Sequence, residues 1–184
     1  SIKLNRSGGE GVLHPEGYRF PSQFEELVDA LPGETSDNFI AVIHIDGNAM
    51  GKRVEKLQQR YGELDWEAYK ESLRQFSESI DKDFKVAYKD MSEYVADRIR
   101  SGSLSSLDLT DNDFPIRRII TAGDDICFVA EGRIGLECAA AFIDSLGSRR
   151  NSVDQEGYAA CAGVAVVHRK YPFYKAYELA EMLC

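Results

Sequence analysis

Three carboxylates are the residues of this chain best placed to do chemistry. Asp124 and Asp125 are adjacent within residues 116–130 (IRRIITAGDDICFVA), and Asp46 closes residues 39–46 (FIAVIHID). Neighbouring side chains on a regular strand point to opposite faces, so Asp124 and Asp125 can serve one site only if one of them lies in a turn. Two such charges ~4 Å apart repel by ~4 kcal/mol at an effective dielectric of ~20. A divalent cation reverses that repulsion, and Mg²⁺ takes one or two carboxylates together with substrate phosphates. The plain alternative is a polar hairpin tip with solvated acids.

Each acid comes with residues suited to a phosphate. Gly47 and Asn48 follow Asp46, and helical patterning starts near Ala49, with Asn48 or Gly47 suited to the N-cap. An acid at the end of a strand, beside a helix N-terminus, lies where free N–H groups and the helix dipole bind anions. Gly51 leaves room over the first turn, and Lys52 can reach a phosphate. The stretch is not a Walker loop: three residues separate Gly47 from Gly51, and Arg53 stands where Ser or Thr is required. On the other side, Ala122 and Gly123 precede Asp124; Gly123 leaves space next to the acids, while Ala122 adds a methyl there. His44 alternates onto the face of Val42 and Asp46; it could be a ligand or base, or simply hydrogen-bond in the interior.

The elements that position these residues follow from periodicity. Residues 39–46 form a near-continuous apolar run with the length of a buried strand. Ile119–Ile120 and residues 126–130 flank a Gly/Asp cluster, the pattern of a tight hairpin. Helical spacing runs from Trp66 to about Arg100, which as one helix spans ~50 Å and is expected to bend or split. A helix is expected over 135–146, ended by Gly147. A strand of small apolar residues over 158–167 leaves room for close packing, and a last helix begins near Pro172. Upstream, Ser22 with Glu25 fits a capping box; Phe24, Leu27, Val28 and Leu31 share a face, and Pro32-Gly33 stops the segment. Residues 1–21, including SGGEG at 7–11, read as loop, as do 101–113 and 148–157, with Arg149-Arg150 solvated. The order strand, helices, hairpin, helix, strand, helix predicts an α+β, ferredoxin-like sheet with helices on one face. Residues 1–38 are expected to be a loop and short helix belonging to a longer chain, and 39–184 the domain. In that fold Asp46 and Asp124-Asp125 meet at one edge, where three acids, a helix N-terminus and a Lys suit two-metal phosphoryl transfer.

Composition narrows the partners. The 184 residues carry a net charge of −9, against duplex binding through the whole surface. Cys127, Cys138, Cys161 and Cys184 and the histidines at 14, 44 and 168 are scattered without zinc spacing. The first three cysteines are expected to pack as small hydrophobes, in keeping with a reducing cytoplasm. No signal peptide or apolar run of ~18 residues is present, so no membrane span is expected. The chain starts without Met and ends inside a helical pattern, as a fragment would.

The motifs HIDGNAMGK (44–52), AGDDICFV (122–129) and ACAGVAVVHRKYPFYKAYELAEML (160–183), in this order, resemble the palm domain of the large subunit of type III CRISPR effector complexes. That palm is related to GGDEF diguanylate cyclases and polymerase palms. The resemblance covers about 39–184. It implies a βααββαβ palm, Mg²⁺ or Mn²⁺ held by the acids, and ATP converted to cyclic oligoadenylate in antiviral defence. Asp46 is then a metal ligand, while Asp124 and Asp125 hold metal and activate the attacking 3′-hydroxyl. Gly47, Asn48, Gly51, Lys52, Ala122 and Gly123 would line the nucleotide. Implied partners are a second palm, from a second copy or from elsewhere in a longer chain, and subunits of a CRISPR ribonucleoprotein. Ala122 departs from the first Gly of the family's GGDD, and Asn48 stands where many members carry Asp. A diguanylate cyclase would show Glu-Phe at Asp125-Ile126, so guanine specificity is not implied. A silent palm that binds nucleotide or completes a complex is the competing reading, and a plain protein-interaction domain a third.

Overall fold

Strand β1 (Phe39–Gly47) is the centre of the molecule: every residue from Ile40 to Ile45 is buried. The structure, a computed structural model, describes residues 13–27, 38–61, 65–107, 109 and 112–184. SGGEG, Val28, Leu31 and Pro32-Gly33 lie outside them. After β1 come α1 (Met50–Tyr61), α2 (Trp66–Arg100), the hairpin β2 (Ile116–Ala122) and β3 (Asp125–Glu131), α3 (Gly135–Gly147), β4 (Ala160–His168) and α4 (Phe173–Leu183). The sheet order is β2-β3-β1-β4, with every neighbouring pair antiparallel. This is the expected α+β, ferredoxin-like arrangement.

Alternation divides β1 between two cores. Ala41, Ile43 and Ile45, with Ile126, Phe128 and Ala130 of β3, pack under α2 and α3 against Phe84, Tyr88, Met91 and Phe142. Ile40 and Val42, with Cys127 and Val129, face the other way onto Ala176 and Ala180 of α4. Helices therefore cover both faces of the sheet and not one as expected, α2 and α3 on one side and α4 on the other. Gly163 makes that possible: a Cβ there would collide with the Ala180 carbonyl oxygen. The small residues read from the fourth strand thus admit a helix.

Several local expectations change. Residues 66–100 form one continuous helix, because Asp65 caps its start by accepting from the Ala68 amide at 3.0 Å and no Pro or Gly interrupts it before Ser101. The described part of the upstream segment is a 3-10 turn, Phe24–Leu27, where the Ser22 amide and hydroxyl each donate to the Glu26 carboxylate at 2.7 Å; the Glu25 side chain lies outside the described residues. Arg149 is not simply solvated but pairs with Asp90 at 2.5 Å. Cys161 is not a packed thiol; it is disulfide-bonded to Cys184, with Cα atoms 5.3 Å apart, and ties β4 to the end of α4. Cys127 and Cys138 are free and buried as expected. Among the described residues no helix is long and apolar enough to cross a membrane.

Candidate functional site

The hairpin resolves the problem of two adjacent acids. Ala122 pairs with Asp125, leaving Gly123 and Asp124 as a two-residue turn, with Gly123 at φ +63°. A Gly of positive φ at the first central position is what a type II′ hairpin uses. Asp124 therefore lies in the turn and Asp125 opens β3. The β1–β3 register runs to Ile45 opposite Ile126, so Asp46 and Asp125 are the next residues beyond that pair. Asp46 is exposed, Asp124 and Asp125 half-buried.

Electrostatics ties the three together. Burial raises the Asp124 carboxyl above the ordinary Asp range, and the negative charges of Asp46 and Asp125 push it further the same way. Packing brings Asp124 against β1: a Cβ on Gly47 would lie 2.8 Å from Asp124 Cβ, 2.7 Å from Met50 Cε and 3.1 Å from Phe84 Cζ. Gly47 is thus the residue that lets the turn approach the end of β1. Mutually repelling carboxylate oxygens are a hard-cation donor set, so their chemistry fits Mg²⁺ or Mn²⁺. Among the described residues no three His, Cys, Asp or Glu side chains are already arranged around one ion position.

The other expected residues lie at and just after the end of β1, on the first turn of α1 and at the hairpin turn. Neither Gly47 nor Asn48 begins α1. The Asn48 amide instead donates to the Ala159 carbonyl at 2.8 Å, and Arg53 N–H closes the first turn on the Ala49 carbonyl at 3.2 Å, with Ala49 itself at φ 61°. Non-Gly residues at positive φ carry strain that the surroundings must hold. Gly51 and Lys52 are exposed on the first turn, and nothing lies within 4 Å of a Cβ built on Gly51. Ala122, at the end of β2, is exposed as well.

Sequence reasoning missed what holds α1 in place. Arg53 is buried, forks onto Asp154 through two 2.7 Å bonds, and lies over the rings of Phe76 and Tyr158 at 5.2 and 5.0 Å. Burial pushes Asp154 upward, but the Arg53 fork and the Glu156 amide outweigh it and hold its carboxyl below the usual range. The lone Arg in the failed Walker pattern was the available signal; its partner sits in a polar loop without one. For His44, the sequence carries no signal for its neighbour. Its Nδ1 lies 3.6 Å from Asp125 Oδ1, and Tyr177 of α4 meets its ring edge-on at 5.5 Å between centroids. Cys127, beside Asp125, is pushed by burial up to about 12 and is inert at neutral pH.

A family model for the second palm domain of Cas10/Cmr2 matches residues 39–184, and the chain belongs to that family. No curated protein matches. Among solved structures, the chain is similar to the active GGEEF domain of a diguanylate cyclase from Vibrio cholerae, at 12% identity and a TM-score of 0.41, over 79% of this chain and 73% of that one.

Proposed function

We propose that this palm is the catalytic half of a metal-dependent nucleotidyltransferase of the nucleotide-cyclase type, converting ATP to cyclic oligoadenylate in CRISPR-type defence signalling, with 39–184 as its working unit. The observation that carries the reading is the meeting of Asp46, Asp124 and Asp125 at one sheet end, close enough that two of them raise the third, next to the open first turn of α1. Asp46, Asp124 and Asp125 would hold the ions, and Asp124 and Asp125 would activate the attacking 3′-hydroxyl. Bound Mg²⁺ or Mn²⁺ supplies charge neutralisation and a lowered hydroxyl pKa. The triphosphate lies over Gly47, Asn48, Gly51 and Lys52, and the open space at Ala122 and Gly123 admits the sugar. Joining nucleotides needs a donor triphosphate and an acceptor hydroxyl in line; one set of acids holds one of them, so a second palm supplies the other. Subunits of a CRISPR ribonucleoprotein and a cytoplasmic setting belong to the same reading.

The competing reading is a silent palm, favoured by Ala122, whose methyl stands where the family places Gly, and by Asn48, which stands where many members carry Asp. The full-length protein, incubated with each labelled nucleoside triphosphate and Mg²⁺ or Mn²⁺, separates them. An oligonucleotide product made from ATP is expected. No product from any triphosphate, with nucleotide binding retained, establishes the silent palm.

A further inference from the structure

His44 is 7% exposed, and its Nδ1 is buried without a hydrogen-bond partner. The atom it faces, Asp125 Oδ1 at 3.6 Å, is equally buried and equally unpartnered. Leaving either group unsatisfied costs roughly 1–3 kcal/mol. A shift of roughly 0.7 Å brings the pair into the range of a charge-assisted bond and satisfies both. The surroundings fix the direction of approach. β1–β3 pairing sets His44 opposite Cys127, two residues along the same face from Asp125. Tyr177 closes the ring from the α4 side, and on β4 the residue opposite is Gly163, with no side chain to intervene.

We propose that His44 is a positioning residue for Asp125: its Nδ1–H donates a hydrogen bond to Asp125 Oδ1, so the carboxylate presents only Oδ2 to the site. The Asp125 side chain is 43% exposed while its Oδ1 is buried, so the accessible oxygen is already the other one. Histidine–carboxylate contacts of this kind orient a working group, and their loss costs roughly 10–100-fold in activity or metal affinity. The contact is a property of the fold; its effect on turnover rests on the function proposed above.

Two measurements test it. Long-range ¹H–¹⁵N correlation spectra of the imidazole, recorded on this chain, are expected to show His44 protonated at Nδ1 and shifted in Asp125→Asn. A bare Nδ1 with the proton on Nε2 overturns the proposal whether or not the protein is active. In the full-length protein, His44→Asn keeps a donor near the Nδ1 position and His44→Leu removes it. Turnover is expected to fall roughly 10–100-fold in the Leu variant with KM little changed, and to be largely retained in the Asn variant. Equal loss in both, with both folded, also overturns it. A wild type without turnover ends the functional reading alone, and the spectra still decide the His44 contact.

Discussion

At the scale of single residues, Asp124 is the most strained charge at the site. Its carboxyl is raised by burial and by two neighbouring acids, so the folded state binds a proton more tightly than the unfolded one. Its ionised form therefore weakens the fold, and stability falls as pH rises from the unfolded Asp value of ~3.9 through the raised folded value. Asp124→Asn should raise the melting temperature at pH 7, and the gap to wild type should close as pH drops below that window. The same substitution should abolish any melting-temperature gain from Mg²⁺. A variant that melts lower than wild type at pH 7, or still gains from Mg²⁺, argues against the acid cluster. The glycines make a paired test. Gly51→Ala meets nothing within 4 Å and should stabilise α1 by up to ~1 kcal/mol, yet weaken ATP binding by calorimetry if the phosphates lie over that turn. Gly47→Ala forces apart Met50, Asp124 and Phe84 and should destabilise by roughly 1–3 kcal/mol, which denaturant titration would measure.

At the scale of elements, α1 depends on a contact from outside its own segment. Arg53 and Asp154 are both largely buried, with side-chain exposures of 5% and 12%, and removing one partner strands the other. Arg53→Leu should cost roughly 3–5 kcal/mol and loosen amide protection in α1 before that in the sheet; unchanged exchange across α1 would disprove the dependence. Because Asp154 is held below its usual range, the pair's contribution is present above the unfolded Asp value and is lost as pH falls through the depressed one. This pairing also marks where the sequence ceases to be readable. The strands were legible because a buried strand is a run and a hairpin needs Gly and Asp at its tip, and the acids were legible because they end those runs. Partners were not, since neither Asp154 for Arg53 nor Asp125 for His44 can be assigned without the register of β1 on β3 and the path of the 148–157 loop. Periodicity gave the length of α2 but says nothing about a bend. The side taken by α4 depended on Gly163, whose role appears only when a second backbone lies against it.

At the scale of the whole molecule, one covalent link joins the last helix to the sheet edge. Cys161 and Cys184 are 23 residues apart in sequence, and closing a loop of that size removes unfolded-state entropy worth about 3 kcal/mol in the chain-entropy treatment. Reductant or Cys184→Ser should lower the melting temperature accordingly. No change with either would mean that the two thiols remain apart in solution, as a reducing cytoplasm favours. Cys161 Sγ lies 3.7 Å from the Asp46 carbonyl, so the state of this pair is felt next to the first acid.

The uninterrupted run of α2 has a mechanical consequence. Its buried residues begin at Phe76 and end at Ala96, so about ten residues project beyond the clamped part, a length of roughly 15 Å. Tyr69 on that projection, with Val54 and Tyr61 of α1, packs at the margin of the same core. The helix is a beam fixed at its middle with α1 resting on its free end. A tilt of about 5° at Phe76, where the buried part begins, carries residue 66 through roughly 1.3 Å at 1.5 Å of rise per residue. A load on that free end is expected to reach Gly51 and Lys52 through α1 before it reaches the sheet.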